Sequence, residues 1–220
     1  MTIYYIVALA IAIVFHEVSH GFVAYLCGDP TAKQAGRLTL NPLSHVDPIG
    51  SVLLPASMLL AGLPPFGYAK PVPVNFSRLR HPRNQSVFVS IAGPATNVLL
   101  GGVGIALGRL SGCHYSVFDG SEYLTWHSSF QGDIGKFALT FVVVNASIAA
   151  FNLLPIPPLD GSVLIERLLP KRFLDVYFSF RSIALPFTMV LFVLDGLFFH
   201  VTSGVLGAVR QAAANLVFSN

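Results

Sequence analysis

Long apolar stretches alternate with shorter polar segments along the chain, and this pattern predicts membrane-spanning helices. About 18 mostly apolar residues can cross the roughly 30 Å hydrocarbon core of a bilayer. Four stretches reach that length: about Ile3 to Cys27, Ser86 to Leu107, Phe137 to Leu154 and Ile183 to Phe199. We therefore expect an all-α fold, a polytopic transmembrane helix bundle with about four to six membrane segments.

Two shorter apolar stretches explain why about four to six membrane segments are expected. Ile49 to Leu63 is about 15 residues long, contains Pro55 and ends in Pro-Pro-Phe-Gly, so it is expected to re-enter the membrane rather than cross it. Gly204 to Phe218 is rich in alanine and contains Arg210, which fits either an interfacial helix or a short last span.

The composition places residues 1–220 in a bilayer as a single membrane-embedded domain. Hydrophobic residues make up 54% of the chain and charged residues 10%, values that water-soluble domains do not normally show. The net charge of +3 gives no indication of a nucleic-acid partner. Cys27 and Cys113 form no CxxC motif, so the sequence indicates neither a disulfide framework nor a thiolate zinc site.

The basic residues predict how the helices are oriented. They cluster in two segments, as Lys70, Arg78, Arg80 and Arg83 and as Arg167, Lys171, Arg172 and Arg181. Because cytoplasmic loops of membrane proteins carry an excess of Lys and Arg, both segments are expected in the cytoplasm. The intervening residues 109–136 carry three acidic side chains against two basic ones, so they are expected on the other side. The Ser86 helix would then run outward and the Phe137 helix inward.

An HExxH motif lies inside the first apolar stretch, from His16 through Glu17 to His20. Residues i and i+4 share one face of a helix, so both imidazoles can hold one metal ion while Glu17 reaches a water beside it. The composition gives this pattern by chance only about 0.003 times. A carboxylate in the middle of a membrane helix costs at least about 2.5 kcal/mol, so the motif indicates a function rather than a polar cluster that packs helices together.

A catalytic zinc site needs a third protein ligand and an open position. The two patterns of soluble zinc peptidases fail, because no Glu lies between Glu17 and Glu122 and because Leu26 stands where a third His would follow. The remaining candidates for the third ligand are Asp29, His45, Asp47 and Asp160.

Asp160 is the strongest of these candidates. It ends the sequence Asn152-Leu-Leu-Pro-Ile-Pro-Pro-Leu-Asp160-Gly161, in which an apolar helix breaks into a proline-rich segment. Irregular backbone at membrane depth is tolerated only inside protein or beside a water-filled cavity, where a carboxylate is well placed to meet a metal. The alternative is a surface turn just beyond a helix end.

These residues resemble the site-2 protease family of intramembrane metalloproteases. The resemblance rests on HExxH in one apolar helix, on the NxxPxxPLDG sequence of residues 152–161, and on a GPxxN element at Gly93, Pro94 and Asn97. It covers a three-helix core over about residues 5–165, with C-terminal helices expected over about 173–218.

The resemblance implies a zinc-dependent intramembrane endopeptidase with one zinc ion per chain. Its substrates would be single-span membrane proteins, cut in or near their transmembrane segments. The family pattern implies zinc ligation by His16, His20 and Asp160, general-base catalysis by Glu17, and a contact of Asn152 with the scissile carbonyl. The GPxxN residues would support the site: Gly93 allows close helix contact, Pro94 kinks the helix, and Asn97 could bond backbone groups that the kink frees. Asn152 could instead only cap its broken helix.

The depth of the motif predicts a topology. His20 lies about seven residues, or roughly 10 Å, from the Cys27 end of its helix, and Asp160 lies at the cytoplasmic end of its own segment. For both to contact one metal ion, the Cys27 end must face the cytoplasm. Because the segment that begins at Lys70 is also expected in the cytoplasm, the stretch from Ile49 to Leu63 then makes no net crossing. A full crossing by that stretch is the alternative, and it would place the N-terminus inside.

Two polar segments could serve the reaction. Asn41, His45 and Asp47 could line a path for water, or they could be turn residues of a cytosolic loop. Residues 69–76 could offer a strand edge that holds a substrate in extended form, although two prolines limit its pairing.

Two rival functions remain open from the sequence. One is a membrane zinc transporter or metal sensor, which would not require Glu17. The other is a catalytically dead scaffold of the same fold, which the intact Glu17 disfavours. For an active protease we expect a bacterial or archaeal inner membrane, with the site toward the cytoplasmic side. The sequence specifies neither the natural substrate nor the oligomeric state.

Overall fold

The computed structural model describes residues 2–62, 67–118, 121–125, 129–174, 177, 179 and 201–218. Within these ranges the bounded α-helices are α1 (Thr2–Leu26), α2 (Thr31–Gln34), α3 (Leu54–Leu60), α4 (Pro82–Leu110), α5 (Ser129–Asn152), α6 (Ser162–Leu168) and α7 (Val201–Phe218). The predicted all-α helix bundle is confirmed.

Among the described residues, three helices, α1, α4 and α5, are long and apolar enough to cross a membrane. They match three of the predicted spans, but α4 begins at Pro82 rather than Ser86 and α5 begins at Ser129 rather than Phe137. Hydropathy marks only the part of a helix that suits the bilayer, whereas the helical hydrogen bonds continue into the polar flanks. The predicted span from Ile183 to Phe199 lies outside the described residues.

The three long helices alternate in direction, as contacts at the two ends of the bundle show. At one end the Tyr4 hydroxyl of α1 donates to Asp133 of α5, at 2.7 Å. At the other end the Arg80 N–H, just before α4, donates to the carbonyl of Cys27, just after α1, at 3.0 Å. Residues 28–81 therefore leave and return at the same end, which agrees with a stretch from Ile49 to Leu63 that makes no net crossing.

Small residues allow the three helices to approach closely. Ala8 and Ala12 of α1 are fully buried and pack against Phe141 and Val144 of α5. On α4, a Cβ at Gly104 would lie 2.7 Å from the Val142 side chain of α5. Small residues at helix contacts are the usual device for close packing in membranes, where lipid tails compete with every apolar contact.

Residues 28–81 form short elements held by side-chain caps. The chain turns out of α1 at Gly28, which has φ +111°. Asn41 caps the 3-10 helix Pro42–His45, and Asp47 caps the π-helix Pro48–Leu53, which continues into α3. The structure thus gives Asn41 and Asp47 the turn role that the sequence offered as one of two alternatives.

A hairpin, a C-terminal helix and two short 3-10 helices complete the described fold. An antiparallel hairpin of β1 (His114–Phe118) and β2 (Ser121–Thr125) connects α4 to α5 and was not predicted. The predicted C-terminal helix is present as α7, whose buried Ala213 and Val217 pack beside Val142 of α5. Further short 3-10 helices occupy Phe76–Arg78 and Lys171–Phe173.

Candidate metal centre

Three predicted ligand residues converge at one point between α1 and the segment after α5. Along one face of α1, the Nε2 atoms of His16 and His20 lie 3.1 Å apart. Asp160 Oδ2 lies 3.1 Å from the first of these nitrogens and 3.3 Å from the second. All three potential ligand atoms lie within 4.8 Å of one another. The structure therefore brings together the residues that the sequence selected as ligands.

A tight reversal after α5 delivers Asp160 to this point. The Gly161 N–H donates to the carbonyl of Asn152, the last residue of α5, at 2.6 Å. A Cβ at position 161 would collide with the backbone of Leu153, so only glycine allows this reversal. The Pro-rich segment of residues 153–161, called the arm below, thus places the Asp160 carboxylate beside α1.

Hydrogen bonds on the far side of each imidazole determine where its lone pair points. His20 Nδ1 lies 2.7 Å from the Val89 carbonyl, which can only accept, so Nδ1 carries the proton. His16 Nδ1 lies 2.6 Å from Asn97 Oδ1, which also accepts. In the neutral tautomers both Nε2 atoms then present lone pairs to the same space.

That arrangement of donor atoms fits a bound cation. Two nitrogen lone pairs and a carboxylate oxygen repel one another unless a positive charge lies between them. Asp160 Oδ2 is also buried and receives no hydrogen bond from the described residues. Two imidazoles and one carboxylate match the ligand set of catalytic zinc sites, which keep a fourth position open.

Gly93 of α4 makes room for the two histidines. A Cβ at this position would lie 2.5 Å from His20 Nε2 and 2.6 Å from His16 Cε1. The next residue, Pro94, is buried inside α4. The GPxxN element therefore contacts the candidate centre through Gly93 and through the Asn97 amide.

Glu17 lies one residue along from His16, and its carboxylate is held by backbone. Its Oε2 accepts the N–H of Val72 at 2.9 Å. In the same segment every second N–H is used, since Tyr68 donates to the Gly50 carbonyl at 3.1 Å and Lys70 to the His45 carbonyl at 2.9 Å. The alternate positions 71 and 73 are prolines without N–H groups, so the segment has few donors left for a substrate strand.

The other three candidates for the third ligand have different partners. Asp29 is fully buried and accepts the N–H groups of Thr31 and Asn75, at 3.0 and 2.6 Å. Asp47 caps its helix, as described above. His45 is buried with Nε2 donating to the Thr39 carbonyl at 2.9 Å. Within the described ranges, the group that could hold a metal ion consists of His16, His20 and Asp160.

Asn152 lies at the end of α5, where the helix breaks. Its Nδ2 donates to the Ile148 carbonyl one turn earlier, at 3.0 Å. One N–H of the amide is thus used within the helix, and the second N–H and Oδ1 are left for other partners. Asn152 therefore makes the helix-capping contact that was one of its two expected roles. Its role toward substrate stays a prediction.

Sequence reasoning missed two residues beside the centre. Asn145 is fully buried in α5 and hydrogen-bonds Asn97, while Val72 reaches Glu17 through its backbone. An Asn in the middle of the apolar stretch from Phe137 to Leu154 was the signal for the first, because polar side chains in a membrane need partners. The Val72 contact has no signal in the sequence, since any residue except proline carries that N–H.

Comparison with known proteins agrees with this geometry. The model of "Peptidase family M50" matches residues 4–194. The chain belongs to peptidase family M50. The matched range contains every residue of the candidate centre, and the resemblance to the site-2 protease family is confirmed.

Curated relatives of this M50 peptidase carry metalloprotease names. "Putative zinc metalloprotease YwhC" of Bacillus subtilis is 41% identical over 167 residues, which cover 76% of this chain and 69% of the relative. "Putative zinc metalloprotease Rip2" of Mycobacterium tuberculosis is 32% identical over 219 residues, covering 95% of this chain and 76% of the relative. No solved structure matches the chain.

Proposed function

We propose that this M50 peptidase is a zinc-dependent intramembrane endopeptidase that cleaves single-span membrane proteins in or near their transmembrane segments. The observation that carries the proposal is the convergence of His16, His20 and Asp160 next to Glu17, on a helix long and apolar enough to cross a membrane. The names of the relatives support zinc as the metal.

Each residue then has a distinct task. His16, His20 and Asp160 would hold zinc, which when bound supplies a Lewis acid that polarises the scissile carbonyl and activates water near neutral pH. Glu17 accepts a proton as water attacks the carbonyl carbon and returns it to the amine nitrogen as the C–N bond breaks. The Val72 N–H holds one carboxylate oxygen of Glu17, which leaves the other oxygen for the water.

Asn152 would act on the substrate. Its free amide N–H can donate to the scissile carbonyl oxygen, whose negative charge grows during attack. The position supports this role, because Gly161 N–H bonds the Asn152 carbonyl and so ties the residue to the arm that carries Asp160. The proposed Asn152 donor and Asp160 ligand thus lie in one loop that this backbone hydrogen bond closes.

The same end of the bundle would face the cytoplasm of a bacterial or archaeal cell. Arg80 precedes α4 and Arg83 lies in its first turn, at the end where α1 finishes. The Arg83 guanidinium donates to the Arg167 carbonyl at 3.4 Å. The two basic segments therefore adjoin one another, which supports a common cytoplasmic location. His20, near the same end of α1, would be reached by water from that side.

Glu17→Gln tests the proposed function. We expect the purified variant to bind zinc like the wild type and to lose cleavage of a single-span test protein by at least about a thousandfold, because the amide cannot accept the proton. Metal content and cleavage would be measured on the same detergent-solubilised samples. A variant that still cleaves at the wild-type rate would refute the mechanism, whereas failure of both forms to bind zinc would refute the site.

A further inference from the structure

A chain of buried amide hydrogen bonds joins α5 to the metal-binding face of α1. Asn145 of α5 donates through Nδ2 to the Phe141 carbonyl at 2.8 Å. Asn97 of α4 donates through Nδ2 to Asn145 Oδ1 at 2.8 Å and to the Ala12 carbonyl at 3.2 Å. His16 Nδ1 then lies 2.6 Å from Asn97 Oδ1. Three helices meet in this one network.

The direction of every bond in this network is fixed by backbone carbonyls. The Phe141 carbonyl can only accept, so Asn145 must turn its NH₂ toward it and its oxygen toward Asn97. Asn97 then uses both N–H groups, on Asn145 and on the Ala12 carbonyl, and presents its oxygen to His16. Rotating either amide would place two oxygens or two NH₂ groups against each other.

The network has no solvent to replace a lost partner. Asn97 and Asn145 are both 0% exposed and His16 is 6% exposed. The surrounding side chains are apolar, with Ala12 and Phe141 in the same buried cluster between α1 and α5. A buried amide without its partner costs about 1–3 kcal/mol, so each member has a strong preference for the orientation observed.

Asn97 Oδ1, the acceptor that faces His16 Nδ1, determines which tautomer His16 adopts. An oxygen at Nδ1 keeps the proton there and leaves the Nε2 lone pair for a metal, whereas an NH₂ group at Nδ1 would favour the opposite tautomer. Which end of the Asn97 amide faces His16 depends on Asn145, because Asn145 Oδ1 accepts a hydrogen bond from the Asn97 NH₂ group and so turns the Asn97 oxygen toward His16.

We propose that Asn145 is a positioning residue of the metal centre: acting through Asn97, it fixes the His16 tautomer that leaves Nε2 free to bind metal. This inference rests on the proposed function, since it takes His16 as a zinc ligand. It assigns a role to a residue that lies on a different helix from both histidines and outside the HExxH, GPxxN and NxxPxxPLDG motifs.

Two substitutions at one position test the proposal in the full chain. Asn145→Leu keeps the approximate volume and removes the acceptor, and the zinc dissociation constant, measured by competition with a chromogenic chelator, should rise about 10- to 100-fold. Asn145→Asp, neutral in this apolar site, can donate its O–H to the Phe141 carbonyl and keep its other oxygen as an acceptor for Asn97, so it should restore most of that affinity. The Co²⁺-loaded Asn145→Leu variant should also show altered d–d absorption bands.

A matched control separates positioning from helix packing. Thr96→Val removes the 2.7 Å hydrogen bond between Thr96 of α4 and Ser19 of α1, another interhelical contact of two polar side chains. We expect it to lower thermal stability without the rise in the zinc dissociation constant. If folded Asn145→Leu binds zinc as tightly as the wild type, the network only packs helices and the proposal is wrong. If the wild type itself binds no zinc, the proposed function fails first.

A measurement on the unaltered protein covers the case in which Asn145→Leu does not fold. The ¹⁵N shifts of His16 in the metal-free wild type, assigned by their loss in His16→Gln, distinguish protonation at Nδ1 from protonation at Nε2. The proposal requires the proton on Nδ1. A neutral His16 with its proton on Nε2 would overturn it.

Discussion

At the scale of single residues, the candidate centre depends on the missing side chain at Gly93 of α4 as well as on the proposed ligands. A Cβ at Gly93 would lie 2.5 Å from His20 Nε2 and 2.7 Å from His16 Nε2, so any side chain there would occupy the space that these proposed ligand atoms need. A glycine inside a transmembrane helix usually serves helix packing. Here it also allows α4 to lie close to the proposed metal ligands.

Gly93→Ala should therefore weaken metal binding. The added methyl would lie 2.5 Å from His20 Nε2, so one imidazole must move, and the zinc dissociation constant should rise at least about tenfold. Gly102→Ala is the matched control on the same helix, because nothing lies within 4 Å of a Cβ at that position. Equal zinc affinity in the two variants, measured by chelator competition, would show that Gly93 is not needed to seat the histidines.

Residue types alone predicted much of the centre. The spacing of His16 and His20 defines one helix face, and the Asp160 sequence stands at a helix break, so both could be selected without coordinates. The orientation of the Asn97 amide could not, because it depends on Asn145 and on a carbonyl of α1 that only the packed bundle brings near. Hydrogen-bond networks between helices are a property of the tertiary structure.

At the scale of elements, the segment from residue 67 to residue 75 has a defined task beside Glu17. The N–H groups of Tyr68 and Lys70 are bound by carbonyls elsewhere in the protein, and the Val72 N–H is bound by the carboxylate proposed as the general base. The segment is anchored further by Asn75, whose N–H donates to the buried Asp29.

Replacing Val72 tests whether this backbone contact supports catalysis. Val72→Pro removes the N–H in a segment that already holds prolines on both sides, whereas Val72→Ala keeps the N–H and only shortens the side chain. A hydrogen bond to a charged group contributes about 1.5–3 kcal/mol, so the proline variant should have at least about tenfold lower kcat/KM than the alanine variant. Zinc content should be the same in both. Equal or faster cleavage by the proline variant would show that the contact is broken during the reaction.

The anchor at Asp29 makes stability depend on pH. Burial alone would raise the pKa of Asp29, but hydrogen bonds from Thr31 and Asn75, with Arg78 nearby, outweigh burial and lower the pKa below its ordinary value of 3.8. A lowered pKa in the folded state means that Asp29 stabilises the protein above pH 3.8 and that this contribution is lost as the pH falls further.

Asp29→Asn should show that dependence directly. Near neutral pH the variant should unfold at a lower temperature than the wild type, because its neutral amide receives weaker hydrogen bonds than the carboxylate. The difference should shrink as the pH drops toward and below 3.8. Thermal unfolding of both proteins in detergent across this range measures it, and a difference that is constant with pH would contradict the assignment.

At the scale of the whole molecule, the helical fold could be predicted because a bilayer leaves the backbone few choices. Every N–H and C=O at membrane depth must be bonded within the protein, so a long apolar stretch becomes a helix. The ends of α4 and α5 could not be placed as well, since polar flanks extend a helix without contributing to hydropathy. The hairpin β1–β2 was missed because each strand is only five residues long and β2, with the sequence Ser-Glu-Tyr-Leu-Thr, does not alternate apolar and polar positions.

The spread of the centre along the chain has a consequence for how the protein is made. A ribosome delivers α1 first, then Asn97 on α4, then Asn145 on α5, and Asp160 only after that, 140 residues behind His20. Until Asp160 has been synthesised, the nascent chain has only two of the three proposed metal ligands, His16 and His20. If these three residues hold zinc as proposed, the complete ligand set becomes available only late in synthesis, after α5 and the segment that follows it have been made.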